Sequence, residues 1–173
     1  LITLKAQILS NLEEYGPAIE LLDQAHALQP NDPEIFLTKG SILSLQGNHS
    51  EAIENYEQAL LLADDKDEVY YSIGLAHQSM EDFQQAIIAY KKSIEININH
   101  EGSLYELAFC LDLTGQLESS IEYYQKFIDE DPYSTAAWYN LGIVYNKLEK
   151  FEDALQAYDY ALTIDESFSS ADF

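Results

Sequence analysis

Residues of one kind return every 34 positions along this chain, and that interval constrains the fold more than any other feature. One column of the register reads Ala6, Gly40, Gly74, Ala108, Gly142. A second reads Ala18, Ala52, Ala86, Ser120, Ala154, and a third Ala25, Ala59, Ser93, Phe127, Ala161. Between the last two runs Leu22, Tyr56, Tyr90, Tyr124, Tyr158. No insertion or deletion is needed. A fixed period of this length marks a repeat array, in which each unit packs on its neighbours rather than around one central core.

Each unit carries two apolar patterns of helical period. In the fifth unit the first arm shows Trp138, Leu141, Tyr145 and Leu148, and the second shows Leu155, Tyr158, Ala161 and Leu162. Both sets fall on one face of a helix. Each arm is expected to span about 12–14 residues. Asp32 before Pro33 reads as an N-cap followed by a first-turn proline. Gly47 and Gly115 share the column at the turn between arms, where a left-handed residue is expected. Pro30 and Pro132 share another, in the link between units. The small columns let helix axes approach to the near end of the usual 8–10 Å range. Large residues fill the gaps between hairpins: the column Ile2, Phe36, Tyr70, Leu104, Trp138, and the column Tyr15, His49, Phe83, Leu117, Phe151. Phe127 interrupts its small column, so local respacing is expected in the fourth unit.

The stretch Trp138-x2-Leu141-Gly142-x2-Tyr145, then Ala154-x3-Tyr158 and Ala161, resembles the tetratricopeptide repeat (TPR). The resemblance covers essentially the whole chain and is weakest in the first unit. It implies an all-α, right-handed superhelical solenoid of antiparallel helix pairs, with five units at about 1–32, 33–66, 67–100, 101–134 and 135–168. Residues 169–173 read as the start of a further, truncated helix. The chain enters the first arm late, has no initiator Met, and supplies no polar capping unit at either end. It therefore reads as an excised segment whose uncapped ends allow self-association.

Charge narrows the partners. There are 31 acidic and 8 basic residues, a net charge of −23, and every base is a lysine. Nucleic acid and anionic membranes both require clustered cations, so neither is expected. A partner with basic flanks would be steered in by the field. No apolar run approaches a membrane span. The single cysteine, Cys110, allows no internal disulfide and fits a reducing, cytoplasmic setting. It lies mid-helix with no basic neighbour and reads as packing. No phosphate loop, nucleophile elbow or zinc-protease motif occurs. His26, His49, His77 and His100 fall at unrelated repeat positions, none with a second ligand one turn away. The cluster Asp64, Asp65, Asp67, Glu68 lacks the glycine and spaced glutamate of a calcium loop. No catalytic residue, metal or cofactor is expected, and the chain reads as non-catalytic.

The resemblance further implies a concave groove lined by the first arms. Its column Thr3, Leu37, Tyr71, Tyr105, Tyr139 would place three tyrosines ~10 Å apart. Beside them would lie Leu75, Phe109 and Ile143, with Glu106 and Asn140 as polar neighbours. Tyr71, Leu75, Tyr105, Glu106, Phe109, Tyr139, Asn140 and Ile143 are thus the candidate peptide-binding residues. Tyrosine supplies contact area and a hydroxyl at little entropic cost. Plain packing between first arms is the competing use of the same rings. TPR domains that clamp chaperone C-terminal carboxylates use Lys, Asn and Arg, but the matching places here hold Thr3, Gln7, Thr38, Glu68 and Ser72. Acidic tails would be repelled. The expectation is a scaffold binding a protein or peptide segment. The alternatives are a self-assembling structural segment and a substrate-recruiting domain of a larger protein.

Overall fold

The computed structural model describes residues 1–170, and side chains through Asp165. Among the described residues there are ten helices and no strand. They alternate as first and second arms: α1 (Ile2–Asn11) with α2 (Tyr15–Leu28), α3 (Pro33–Leu45) with α4 (His49–Leu62), and α5 (Asp67–Ser79) with α6 (Phe83–Ile96). Then come α7 (Glu101–Leu113) with α8 (Leu117–Glu130), and α9 (Thr135–Lys147) with α10 (Phe151–Ser170). Of the further helix expected at 169–173, residues 169 and 170 continue α10, and 171–173 lie outside the described residues.

The chain forms two compact units, Leu1–Ile96 and a second beginning at Asn97. In the first unit α3 packs against α1 and α2, and α5 against α3 and α4. In the second, α9 packs against α7 and α8. First arms therefore lie side by side within each unit, with second arms behind them.

The local signals act as the register requires. The Asp32 carboxylate accepts from the Glu34 N–H at 3.1 Å, with Pro33 as the first helical residue. Each turn between arms contains one residue in the left-handed region: Glu13, Gly47, Glu81, Gly115 and Glu149, at φ 61°, 80°, 59°, 76° and 58°. The chain reverses in the same way five times, twice with glycine and three times with glutamate. His100 caps α7, its Nδ1 accepting from the Ser103 N–H at 3.1 Å.

All three small columns are buried. The reason for the first is steric. A methyl on Gly40 would meet the Tyr56 ring at 2.6 Å, and one on Gly142 the Tyr158 ring at 2.5 Å. Gly74 stands in the same relation to Tyr90. The second-arm tyrosine thus packs directly against the bare backbone of the first arm. In the fourth hairpin Ala108 replaces the glycine, and there Tyr124 meets Tyr105 edge-on at 77°. The matching pairs, Tyr71–Tyr90 and Tyr139–Tyr158, are tilted at 43° and 48°. Phe127 is buried beside this altered pair, its ring 5.3 Å from that of Tyr105.

Candidate functional site

Two first-arm surfaces carry the candidate chemistry, one in each unit. On the second unit α7 and α9 run side by side. The Asn140 amide donates to the Tyr105 hydroxyl at 2.8 Å, tying the two arms together. At the C-terminal ends of the two arms, the Lys147 ammonium donates to both Asp112 carboxylate oxygens at 2.6 and 2.7 Å. Tyr105 is half-buried, wedged between Tyr124 and Phe127. Burial, with the Glu106 carboxylate second, raises its phenol pKa. Glu106, Phe109 and Ile143 are half-buried on the same two arms.

Tyr139 differs from Tyr105. Its side is 55% exposed, and its ring rests on Tyr158 at 5.8 Å. Both border a hollow of about 590 Å³ whose other walls are Thr135, Ala136, Ala161, Leu162 and Asp165. That volume is in the range of small-ligand pockets, and the walls are almost wholly apolar. On the first unit, Tyr71 and Leu75 are half-buried on α5, with Tyr71 packed on Tyr90 at 6.0 Å. The structure therefore joins Tyr105 to Asn140, and gives each column tyrosine a ring partner from its own hairpin. Packing use and surface use divide between residues: Tyr105 is held, whereas Tyr139 is presented.

The other surface was visible in the sequence only as a set of places without cations. Between α1, α3 and α5 lies a hollow of about 290 Å³. It includes Gln7, Thr38, Ser41, Glu68 and Ser72, which share the groove register, together with Ser10 and Glu34, which sequence reasoning had not assembled. The signal was present, since all three arms share one register, but α1 is the arm least like the repeat.

Cys110 is fully buried, and burial, with Glu106 second, pushes its thiol up to about 12. His49 is half-buried, its Nδ1 3.3 Å from the Ser44 hydroxyl. Among the described residues no group of three His, Cys, Asp or Glu side chains could hold a metal ion. No described helix is long and apolar enough to cross a membrane.

Helical hairpins with small residues recurring at their crossings, Phe127 excepted, define the class: a helical repeat scaffold. Sequence models of the tetratricopeptide repeat match residues 31–99, 103–134 and 135–168. The chain belongs to the tetratricopeptide repeat family. Solved structures of similar fold include MamA, with TM-score 0.88, 24% identity, and coverage of 95% of this chain and 96% of that one. MamA from Desulfovibrio magneticus RS-1 gives 0.86 at 20% identity, covering 96% and 94%. YrrB, described as a TPR protein with an unusual peptide-binding site, gives 0.78 at 24% identity, covering 92% and 82%. No curated protein sequence matches the chain.

Proposed function

We propose that this protein-interaction scaffold binds a peptide segment on its first-arm surfaces, with Tyr139 as the principal aromatic contact. The observation that carries this reading is the exposed Tyr139 ring beside the apolar hollow it shares with Tyr158 and Leu162. An aromatic edge with a hydroxyl tip next to an apolar depression suits an inserted apolar or aromatic side chain. Tyr105, Glu106, Phe109, Asn140 and Ile143 are the other candidate contacts on the same unit, and Tyr71 and Leu75 are the candidates on the first unit. The net charge of −23 favours basic residues flanking that side chain. Peptide recognition by YrrB, a structure of the same fold, lends support. Binding of a peptide with one aromatic residue between lysines should weaken at least tenfold in Tyr139→Ala and fall with added salt. Unchanged affinity in that variant would remove the proposal.

A second reading has its own observation. Leu4, Ile8 and Leu12 on α1, and Leu155 and Leu162 on α10, are each about 60% exposed. Such faces would support association of copies through their outer hairpins. Mass measured by light scattering across a concentration series would rise in the parent protein. It would stay monomeric in Leu4→Glu/Ile8→Glu if this reading is right.

A further inference from the structure

The hollow between α1, α3 and α5 has a chemical bias that the aromatic surface lacks. Ser41 and Ser72 donate their hydroxyl protons to the Leu37 and Glu68 carbonyls, at 3.0 and 2.9 Å. Ser41 also accepts from the Tyr56 hydroxyl at 3.4 Å, so toward a ligand the two serines offer only their remaining oxygen lone pairs. Glu34 and Glu68 add two carboxylates, and no lysine, arginine or histidine lines the hollow. The lining thus holds two carboxylates and no cationic side chain. Ser10 and Thr38, 6% and 4% exposed, also line it, and their hydroxyls have no hydrogen-bond partner. A buried hydroxyl left unpaired is unfavourable, and a ligand group would relieve that after a small rotation. Leu37, Ile42 and Leu45 give one apolar wall against which an aliphatic stem can lie.

We propose that this hollow receives a lysine or arginine side chain of an extended peptide. The cationic head is held between Glu34 and Glu68 and donates to Ser41 and Ser72. The stem covers Leu37 and Leu45, and the adjoining peptide carbonyl accepts from Thr38 or Ser10. Charge-assisted hydrogen bonds to several fixed acceptors distinguish such a site from general attraction to an acidic surface. The inference rests on the peptide-binding reading above but concerns other residues, on the other unit.

The probe is a nine-residue peptide of serine and glycine with one central arginine, compared with the same peptide carrying citrulline. Binding is followed by NMR shifts of the labelled chain. The arginine peptide is expected to shift the amides of residues around Thr38, Ser41 and Ser72. Citrulline should weaken binding at least tenfold, as should Thr38→Val and Glu68→Gln. Tyr139→Ala should leave it unchanged. Thr38→Val keeps the shape and removes an unpaired hydroxyl, so its melting temperature should hold or rise, which separates lost recognition from lost fold. Shifts scattered over the acidic surface, or equal binding of the citrulline peptide, would overturn the inference. So would arginine-peptide binding that Tyr139→Ala abolishes and Thr38→Val does not, an outcome that leaves the aromatic surface standing.

Discussion

At the scale of residues, the glycine–tyrosine contact is the element of packing most sensitive to a single methyl. Tyr90 is fully buried and its hydroxyl donates to Gln78 at 2.7 Å, so the ring has no room to retreat from a Cβ on Gly74. Gly74→Ala should cost ~1–3 kcal/mol by urea denaturation, despite alanine's better helix propensity. The first hairpin shows the compatible alternative, Ala6 with Leu22, both fully buried. Adding Tyr90→Leu to Gly74→Ala should therefore cost less than the sum of the two single changes. Strict additivity would mean that the ring and the glycine are not coupled. Cys110 allows a second test. Its folded-state pKa, about 12, lies above its ordinary 9.0. The stabilisation from burying the neutral thiol is complete below about pH 9 and is lost as pH rises toward 12. Native protein at pH 8 should thus react with a thiol reagent far more slowly than unfolded protein. Equal rates would contradict the burial.

At the scale of elements, the five turns pose one backbone problem and meet it with two residue types. Glutamate in the left-handed region is strained by about 1 kcal/mol, whereas glycine is not. Glu81→Gly should raise stability by up to ~1 kcal/mol, the gain reduced by the larger entropy of unfolded glycine. Gly47→Ala should lower it by about the same amount. Urea denaturation of both variants checks the pair, and a loss in Glu81→Gly would show that its side chain is needed there. Gly47 and Gly115 were legible as turns because glycine advertises the conformation. Glu13, Glu81 and Glu149 were not, although the register places them in the same column. Burial shows a similar division. From the second hairpin onward one first-arm column, Ile35, Val69, Ser103, Ala137, is at most 2% exposed, whereas its first member, Leu1, is open. The neighbouring column, with Phe36, Tyr70 and Trp138, drew attention through size, yet those rings are half-buried. Trp138 stacks on Tyr160 at 4.5 Å and donates its indole N–H to the Pro132 carbonyl at 3.0 Å. Helix geometry decides which position faces inward, and a bulky side chain with a polar tip is placed at the margin. For the same reason the period alone could not tell Tyr105 from Tyr139: the Asn140 bond and the edge-on rings around Ala108 separate them, and both arise from contacts between helices.

At the scale of the whole molecule, charge dominates. With 31 acids against 8 lysines, most carboxylates have no cation to meet. Lys39 pairs with Asp23, Lys126 with Glu122 and Lys147 with Asp112, but these are surface pairs of small individual worth. Close acids raise one another's pKa, as at Asp65. A hydrogen bond to Asp67 is the larger cause there and the Asp67 charge the next. A carboxyl raised in the folded state contributes stability that is complete below its unfolded pKa and is lost as pH rises through the folded value. Self-repulsion of the same sign acts over the whole surface and is screened within about 10 Å at 0.1 M salt. Melting temperature should therefore climb as salt rises from about 10 mM to about 300 mM. At low salt it should also climb as pH falls from neutrality toward about 5 and the net negative charge shrinks. Asp65→Asn should flatten part of the pH slope and leave the salt slope nearly intact, because it removes one charge from an excess of 23. A melting temperature indifferent to salt would mean that the unfolded chain repels itself as strongly as the folded one.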